Sequence, residues 1–525
     1  MESVPGATLG IRVLFLTFVT ALVLIVPGGT AGSAVPVTGG VIHVATNAEP
    51  GTLDWTASTA TATRLVAWHV YETLFALDRN YDVKPLLAEG YSVSADGLHY
   101  TIRLRRGITF HNGQPLTADD VVASLDRWGQ VSGGGRETFK FIKHVTKVDP
   151  LTILIDLNGV FTPLIANIGD PKQAAIIMPK SGAEASVDKP AKDYIGTGPY
   201  MFQKWDQGHE IVLVRNPRYA SRTEDWGGIT GKKVAYADEL DFFPVRDDQV
   251  RFAGVSTGQY DLALELQPDL YAQVKANPRL TADVVKVFSW RAAVFNKAKP
   301  PFNDARMRLA VQYAIKPAEL MAALGPKEFW HLDPGLFFPQ QTGLHSTAGS
   351  EVYNHQDLQK AKALMKEAGY SGQKITLMTT KDYTWAYNLS QVLAPQLQAA
   401  GFAVDEQIYD WPTLLSRRAK KDGWDIFLTG FSPSFDPTAV IFFAGTWPGF
   451  YESKAMDALL SKWGQTPVTD AAGRKALMNQ IQMTFYKEVP VAKFANEYGL
   501  EVYNDHLRGY TGFFDVRFWN TWVTR

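Results

Sequence analysis

Between Asp357 and Gly430 the chain alternates helix and strand patterns, and this alternation restricts the fold more than any other feature. Asp357 is placed to cap a helix whose apolar face is Leu358, Ala361, Leu364 and Met365 and which stops at Gly369. "KITLMTT" then alternates as a strand does. Leu389, Val392, Leu393 and Leu397 return to helical spacing before Gly401, and Pro395 is expected to kink that helix or begin its second part. "FAVDEQIYD", "WPTLLSRRAKKDG" and "WDIFLTG" continue the series as strand, short helix and strand. Strands separated by helices imply a parallel sheet wound by those helices, an α/β fold.

In such sheets ligands sit beyond the carboxyl ends of the strands. That rule selects "TKDYTWAY", with Lys381, Asp382, Trp385 and Tyr387, and "FSPSFD", with Phe431, Ser432 and Ser434. An earlier strand, "GVIHVAT", leads likewise into "NAEPGTLD", with Asn47 and Glu49. Most of the 14 Trp are expected in the core. Trp385, Tyr387 and Phe431 fall in the crevice loops instead, where flat rings could cover a ligand at little entropic cost.

The 525 residues predict two or three domains. From Tyr81 to Leu157 short alternating strands ("LHYTIRL", "LTILIDL") and one amphipathic helix read as an α+β insert. Another helix, with Met307, Ala310, Val311 and Ala314 on one face, begins near Asp304 and precedes Pro317. Lys plus Arg (52) against Asp plus Glu (53), with no long run of like charge, argues against a nucleic-acid or polybasic-membrane partner.

The apolar run Val13 to Val26, preceded by Arg12 and followed by "PGGTAGSAVP", reads as a secretory signal peptide, shorter than the roughly 20 residues of a membrane span. Cleavage is expected after Ala34. An exported chain with 0 Cys forms no disulfide and has no cysteine to lipidate, so the expected location is the periplasm, as a soluble protein and not a lipoprotein.

Catalytic and metal chemistry find little footing. "GITFHNGQPLTADDVV" places His111 beside Asn112-Gly113 and two aspartates, yet each part has a local explanation. Asn112-Gly113 suits a tight turn, Thr117 with Asp120 forms a capping-box pair, and Val121, Val122, Leu125 and Trp128 make the helix's buried stripe. His111 reads as a turn residue. No His-Glu-x-x-His or paired His spacing occurs, so neither a metal nor a cofactor is expected. Gly254-Val255-Ser256-Thr257-Gly258 matches G-x-S-x-G, but a nucleophile elbow follows a strand and opens a helix. Here the order is reversed, a helix ending at Gly258 and then a strand, so the competing reading of a secreted serine hydrolase is set aside. Gly133-Gly134-Gly135-Arg136 lacks the Gly-Lys-Ser/Thr of a phosphate loop.

Four segments together resemble the extracytoplasmic solute-binding proteins of family 5, which serve ABC importers of peptides, opines and nickel. They are "SADGLHYTIRLRRGITFHNGQPLTADDVVASLDR", "GTGPYMFQKWDQGHEIVLVRNPRYA", "FNKAKPPFNDARMRLAVQYAI" and "DLQKAKALMKEAGY", in order over nearly the whole mature chain. The resemblance implies a periplasmic-binding-protein-like α/β fold of cluster C type, with two lobes, a hinge and three domains. Domain I would comprise 35–70, 194–285 and 500–525, domain II 71–193, and domain III 286–499, after a signal peptide at 1–34. It implies no enzymatic step. A monomer would capture peptides or peptide-like solutes such as opines and deliver them to permease subunits in the inner membrane.

In the family's peptide binders an aspartate shortly after the Gly-aromatic pair holds the peptide's α-amino group. This chain has Ser432-Pro433-Ser434-Phe435 there, and Asp436-Pro437 resembles a separate, structural pair. A hydroxyl accepts a hydrogen bond but cannot neutralise an ammonium. Either Glu49 or Asp382 then supplies the charge, or the ligand is no ordinary peptide; Lys381 is the candidate cation for a carboxylate. An oligosaccharide or sugar conjugate stacked on Trp385 is the second reading.

Overall fold

One mixed sheet of eleven strands runs through the described part of the chain, which in this computed structural model is residues 1–3, 6, 35–172 and 174–524. The expected leader, Val13 to Val26, and its cleavage point lie outside the described residues. Internal contacts divide the chain into Met1–Val35 and Pro36–Arg525. All helices and strands described belong to the second unit.

The helix–strand series forms one end of that sheet. Lys374–Thr380 pairs in parallel with Ala403–Tyr409 on one side and Ile426–Phe431 on the other. The strand buries Ile375, Leu377 and Met378, while the helix Thr384–Ala399 buries Ala386, Leu389, Leu393 and Leu397. That helix continues through Pro395. Asp357 caps Leu358–Glu367 by accepting from the Lys360 amide at 2.8 Å.

A second parallel group stands further along the same sheet. Val41–Thr46 lies between Glu239–Pro244 and Leu262–Leu266 and runs parallel to both. Two long antiparallel strands, Leu280–Phe295 and Val491–Asn504, join the groups, paired from Leu280 with Asn504 to Val294 with Val491. Val491–Asn504 borders the second group through Leu262–Leu266, and Leu280–Phe295 borders the C-terminal group through Ile426–Phe431. Their register shifts between Val285 and Ser289, and again between Arg291 and Ala292. Such irregularities bend and twist a strand locally. Of the expected domain boundaries, Lys286 falls inside the first shift and Leu500 inside the partner strand.

The region read as an α+β insert holds a separate antiparallel sheet, ordered Ala88–Val93, His99–Leu104, Thr152–Leu157, Ile142–Asp149. Ile102, Leu104, Ile153 and Ile155 pack with Val121, Leu125 and Trp128 of the helix Ala118–Val131. Asp120 Oδ2 accepts from the Thr117 amide at 2.9 Å and from its hydroxyl at 2.7 Å. From the same helix Arg127 forms a buried ion pair with Asp54, whose Oδ2 also accepts from the Ala191 amide at 2.7 Å. One carboxylate thus ties the insert to the loop after the first strand.

His111 is more deeply engaged than a turn residue. Its ring packs on the "GTGP" segment, with Nε2 3.1 Å from the Gly198 carbonyl and Nδ1 accepting from the Gly196 amide at 3.3 Å. Burial pushes its pKa down to about 4, so it is a neutral tether at pH 7. Gly196 is obligatory there, since a Cβ would stand 2.0 Å from the Val70 carbonyl oxygen. Ser256 lies inside the helix Asp248–Thr257, and its hydroxyl donates to the Phe252 carbonyl at 2.7 Å. Gly258 ends that helix with φ +85°, as the reversed order of elements requires.

Candidate functional site

A cavity of about 840 Å³ opens at the carboxyl end of Ile426–Phe431. The long strand Leu280–Phe295 contributes Trp290, and the C-terminal parallel group with the segments after it contributes Trp411, Arg418, Phe431, Phe442 and Trp447. Facing segments contribute Thr61 and Arg64, then Trp128 and Glu137, then Asn167, Asp170 and Lys172. The walls therefore come from distant parts of the sequence, as a binding site between two lobes requires. The volume is within the range of small-molecule pockets.

The aromatic wall is a packed cluster. Ring centroids lie 4.6 Å apart for Trp290 and Phe431, 4.9 Å for Phe431 and Phe442, and 5.6 Å for Phe431 and Trp447. The Lys493 amine stands 5.2 Å from the Trp290 ring centroid, fully buried, and donates to the Gly335 carbonyl. Desolvation pulls its pKa down to about 8, partly opposed by Asp333. Trp290 is thus held from behind by a residue of the long partner strand.

Polar groups punctuate this surface. Gln341 donates to the Ser434 carbonyl at 2.7 Å and so orients the loop after the strand. The Ser434 hydroxyl lies 3.5 Å from Lys172 Nζ. Asp436 does not reach for solute: it is buried and accepts from the Thr438 amide at 2.9 Å, the Thr438 hydroxyl at 2.6 Å and the Trp463 indole at 2.9 Å. Its pKa is raised by burial. Arg64 pairs with Asp515 and lies 4.6 Å from the centroid of Phe514.

Of the nine residues selected from the sequence, Phe431, Ser432 and Ser434 line this cavity. The other six are engaged with the protein itself. Asn47 donates to Glu265 at 2.6 Å, and Glu49 accepts from the Trp205 indole and the Gly208 amide, each at 2.8 Å. Those bonds, that from Gly208 foremost, lower the Glu49 pKa. Asp382 accepts from the Trp411 amide at 2.6 Å, and Lys381 stands 4.9 Å from the Tyr387 ring centroid. The face of Trp385 is covered by the Arg291 guanidinium. The loop expected to be open is short because the helix begins at Thr384 and takes Trp385 and Tyr387 into its first turn.

Sequence reasoning missed Lys172, Trp290, Arg418 and Trp447. Trp290 lies within the strand Leu280–Phe295 and Trp447 sixteen residues beyond Phe431, so neither stood in a loop that the crevice rule selects. Arg418 sits in "SRRAKK", which reads as a solvated helix face, and "GDPKQ" around Lys172 has no distinguishing pattern.

Comparison with known proteins agrees with this architecture. The chain is 29% identical over 487 residues to a probable peptide ABC transporter periplasmic-binding protein of Sinorhizobium fredii, covering 87% of this chain and 88% of that one. It is 28% identical over 498 residues to a glutathione-binding protein of Salmonella choleraesuis, covering 90% and 91%. Among solved structures, the periplasmic binding protein DppA of Helicobacter pylori in complex with the peptide STSA matches with a TM-score of 0.74 at 25% identity, covering 93% of this chain and 99% of that one. The family profile described as "Bacterial extracellular solute-binding proteins, family 5 Middle" matches residues 82–448. The chain therefore belongs to the bacterial extracellular solute-binding proteins of family 5, the binding components of ABC importers and not enzymes.

Proposed function

We propose that this protein captures a peptide or peptide-like solute, opines included, in the periplasm and delivers it to an inner-membrane permease. The observation that carries the proposal is the cavity of about 840 Å³, walled by aromatic rings and by polar groups from opposing parts of the chain. Relatives named for peptide and glutathione binding support the solute class.

In this reading the three domains are 35–70 with 194–285 and 500–525, then 71–193, then 286–499. The long strands through Lys286 and Leu500 act as the hinge. Solute buried between the lobes stabilises the closed form, which the permease engages. Phe431, Ser432 and Ser434 act as contacts in this cavity. The sugar reading has lost its motive, because Arg291 covers the ring on which a sugar would have stacked.

A thermal-shift screen of di- to pentapeptides, glutathione and opines tests the proposal. A ligand at ~100 times its Kd adds about 2.7 kcal/mol, which is readily visible as a raised melting temperature. If every peptide-like solute left the melting temperature unchanged while an oligosaccharide raised it, the solute class would be wrong.

A further inference from the structure

Two cations line the cavity with no carboxylate among the described residues in ion-pair contact. Lys172 Nζ has the Ser434 hydroxyl at 3.5 Å, at the weak limit of hydrogen bonding, and the Phe435 ring centroid at 5.8 Å. The Arg418 guanidinium lies 5.1 Å from the ring centroid of Phe427 and 5.8 Å from those of Trp411 and Trp447. Among the described residues neither side chain forms an ion pair.

The other charges on these walls are already committed. Arg64 pairs with Asp515, and Glu137 with Lys140 at 2.5 Å. Asp170 accepts from the Lys172 backbone amide at 2.8 Å and reaches the Lys172 amine through its field without forming an ion pair, and Asp436 is held by Thr438 and Trp463. A part-buried cation without a counter-charge is unfavourable, and aromatic faces compensate it only in part. Desolvation lowers the pKa of both side chains, opposed only in part at Lys172 by the charge of Asp170. A direct counter-charge for either cation has room to come from the cavity that both line.

We propose that Lys172 and Arg418 are specificity-determining residues that select a solute with two carboxylates on a peptide-like frame and no ammonium at the Ser434 end. This rests on the peptide-like reading above and narrows it. Lys172 and Ser434 bind one acid, the arginine binds the other through its planar fork, and the rings of Trp290, Phe431 and Trp447 cover the uncharged middle.

Calorimetry on the full chain with three probes of one backbone tests this: succinyl-Ala-Ala with two carboxylates, zwitterionic Ala-Ala, and cationic Ala-Ala-amide. Succinyl-Ala-Ala should bind at least about tenfold more tightly than either other probe, and Lys172→Met and Arg418→Met should each weaken it by about tenfold or more. Lys172→Arg should retain most of the affinity. Ligand-free Lys172→Met should melt higher than the parent, because the uncompensated charge is gone; a lysine with a merely structural role would not give that result. Tighter binding of Ala-Ala or its amide, or succinyl-Ala-Ala affinity unchanged in Lys172→Met, overturns the charge selection and leaves the peptide-like reading standing. Failure of all three probes to bind overturns both.

Discussion

The Arg291 guanidinium stacks on the Trp385 indole, 3.9 Å from its ring centroid, while its Nη2 meets Glu497 at 2.6 Å. Arg291 and Glu497 belong to the two long strands, and Trp385 to the first turn of the helix beside them. An aromatic side chain that sequence reasoning assigns to the solute is thus used to clamp the strands to the C-terminal group.

Trp385→Ala is therefore expected to destabilise the protein by about 1 kcal/mol, the scale of a cation–π contact with partial burial. Solute affinity should stay within about threefold of the parent, since the ring does not line the cavity. Chemical denaturation and calorimetry read the two effects separately. An affinity loss beyond about tenfold with stability unchanged would put the indole on the solute.

Ser434→Asp places a carboxylate beside Lys172, which forms no ion pair in the parent among the described residues. The ligand-free protein should gain up to about 1 kcal/mol, as expected for one well-placed, part-exposed ion pair. Binding of succinyl-Ala-Ala should fall at least about tenfold, because its acid then meets a neutralised lysine. Undiminished affinity would remove Ser434 from that end of the site.

Glu265 sets a pH dependence. Burial, followed by the nearby Asp515 charge, raises its pKa from 4.5 to about 6, against the pull of Arg251 and the Asn47 amide. A carboxyl with a folded pKa above its unfolded one binds more protons in the folded state, so its contribution to stability falls as pH rises from about 4.5 to about 6. The whole penalty then stands at neutral pH. Glu265→Gln should stabilise the protein by roughly 1 kcal/mol near pH 7, allowing for its partial exposure, and by nothing near pH 4. Melting curves across that interval check it, and equal effects at both ends would exclude Glu265 as the titrating group.

Asp54→Ala should be among the most damaging single changes, because it strands Arg127 in the interior; both side chains are nearly fully buried. The expected cost is roughly 3–5 kcal/mol by urea denaturation. The double variant Asp54→Ala with Arg127→Met should lose less than the single one, since no orphaned charge remains. A single-variant cost below about 1 kcal/mol would show that water reaches the guanidinium.

Features with local causes were legible in the sequence. The series from Asp357 to Gly430 folds as read, because helical and strand periodicities and caps such as Asp357 act over a few residues. The Thr117–Asp120 pair and the turn at Gly113, with φ +87°, are equally local. The crevice rule also found the loop after Ile426–Phe431. It could not separate that loop from the one after Lys374–Thr380, whose residues are drawn into a helix start and into contacts with Trp411 and Arg291.

By itself, then, the sequence determined an α/β chain of family 5 and the position of most of its elements, since periodicity, capping and turn chemistry are written within short stretches. Only the tertiary structure decided which side chains line the cavity. Lys172 reaches Ser434 across 262 positions of sequence. Arg417 and Arg418 are adjacent and identical in type, yet one lies over Tyr409 at 4.3 Å while the other lines the cavity, because a helix turns each residue by about 100° from the last. The charge of a binding site is a sum over segments that meet only when the chain is folded, and no local pattern carries that sum.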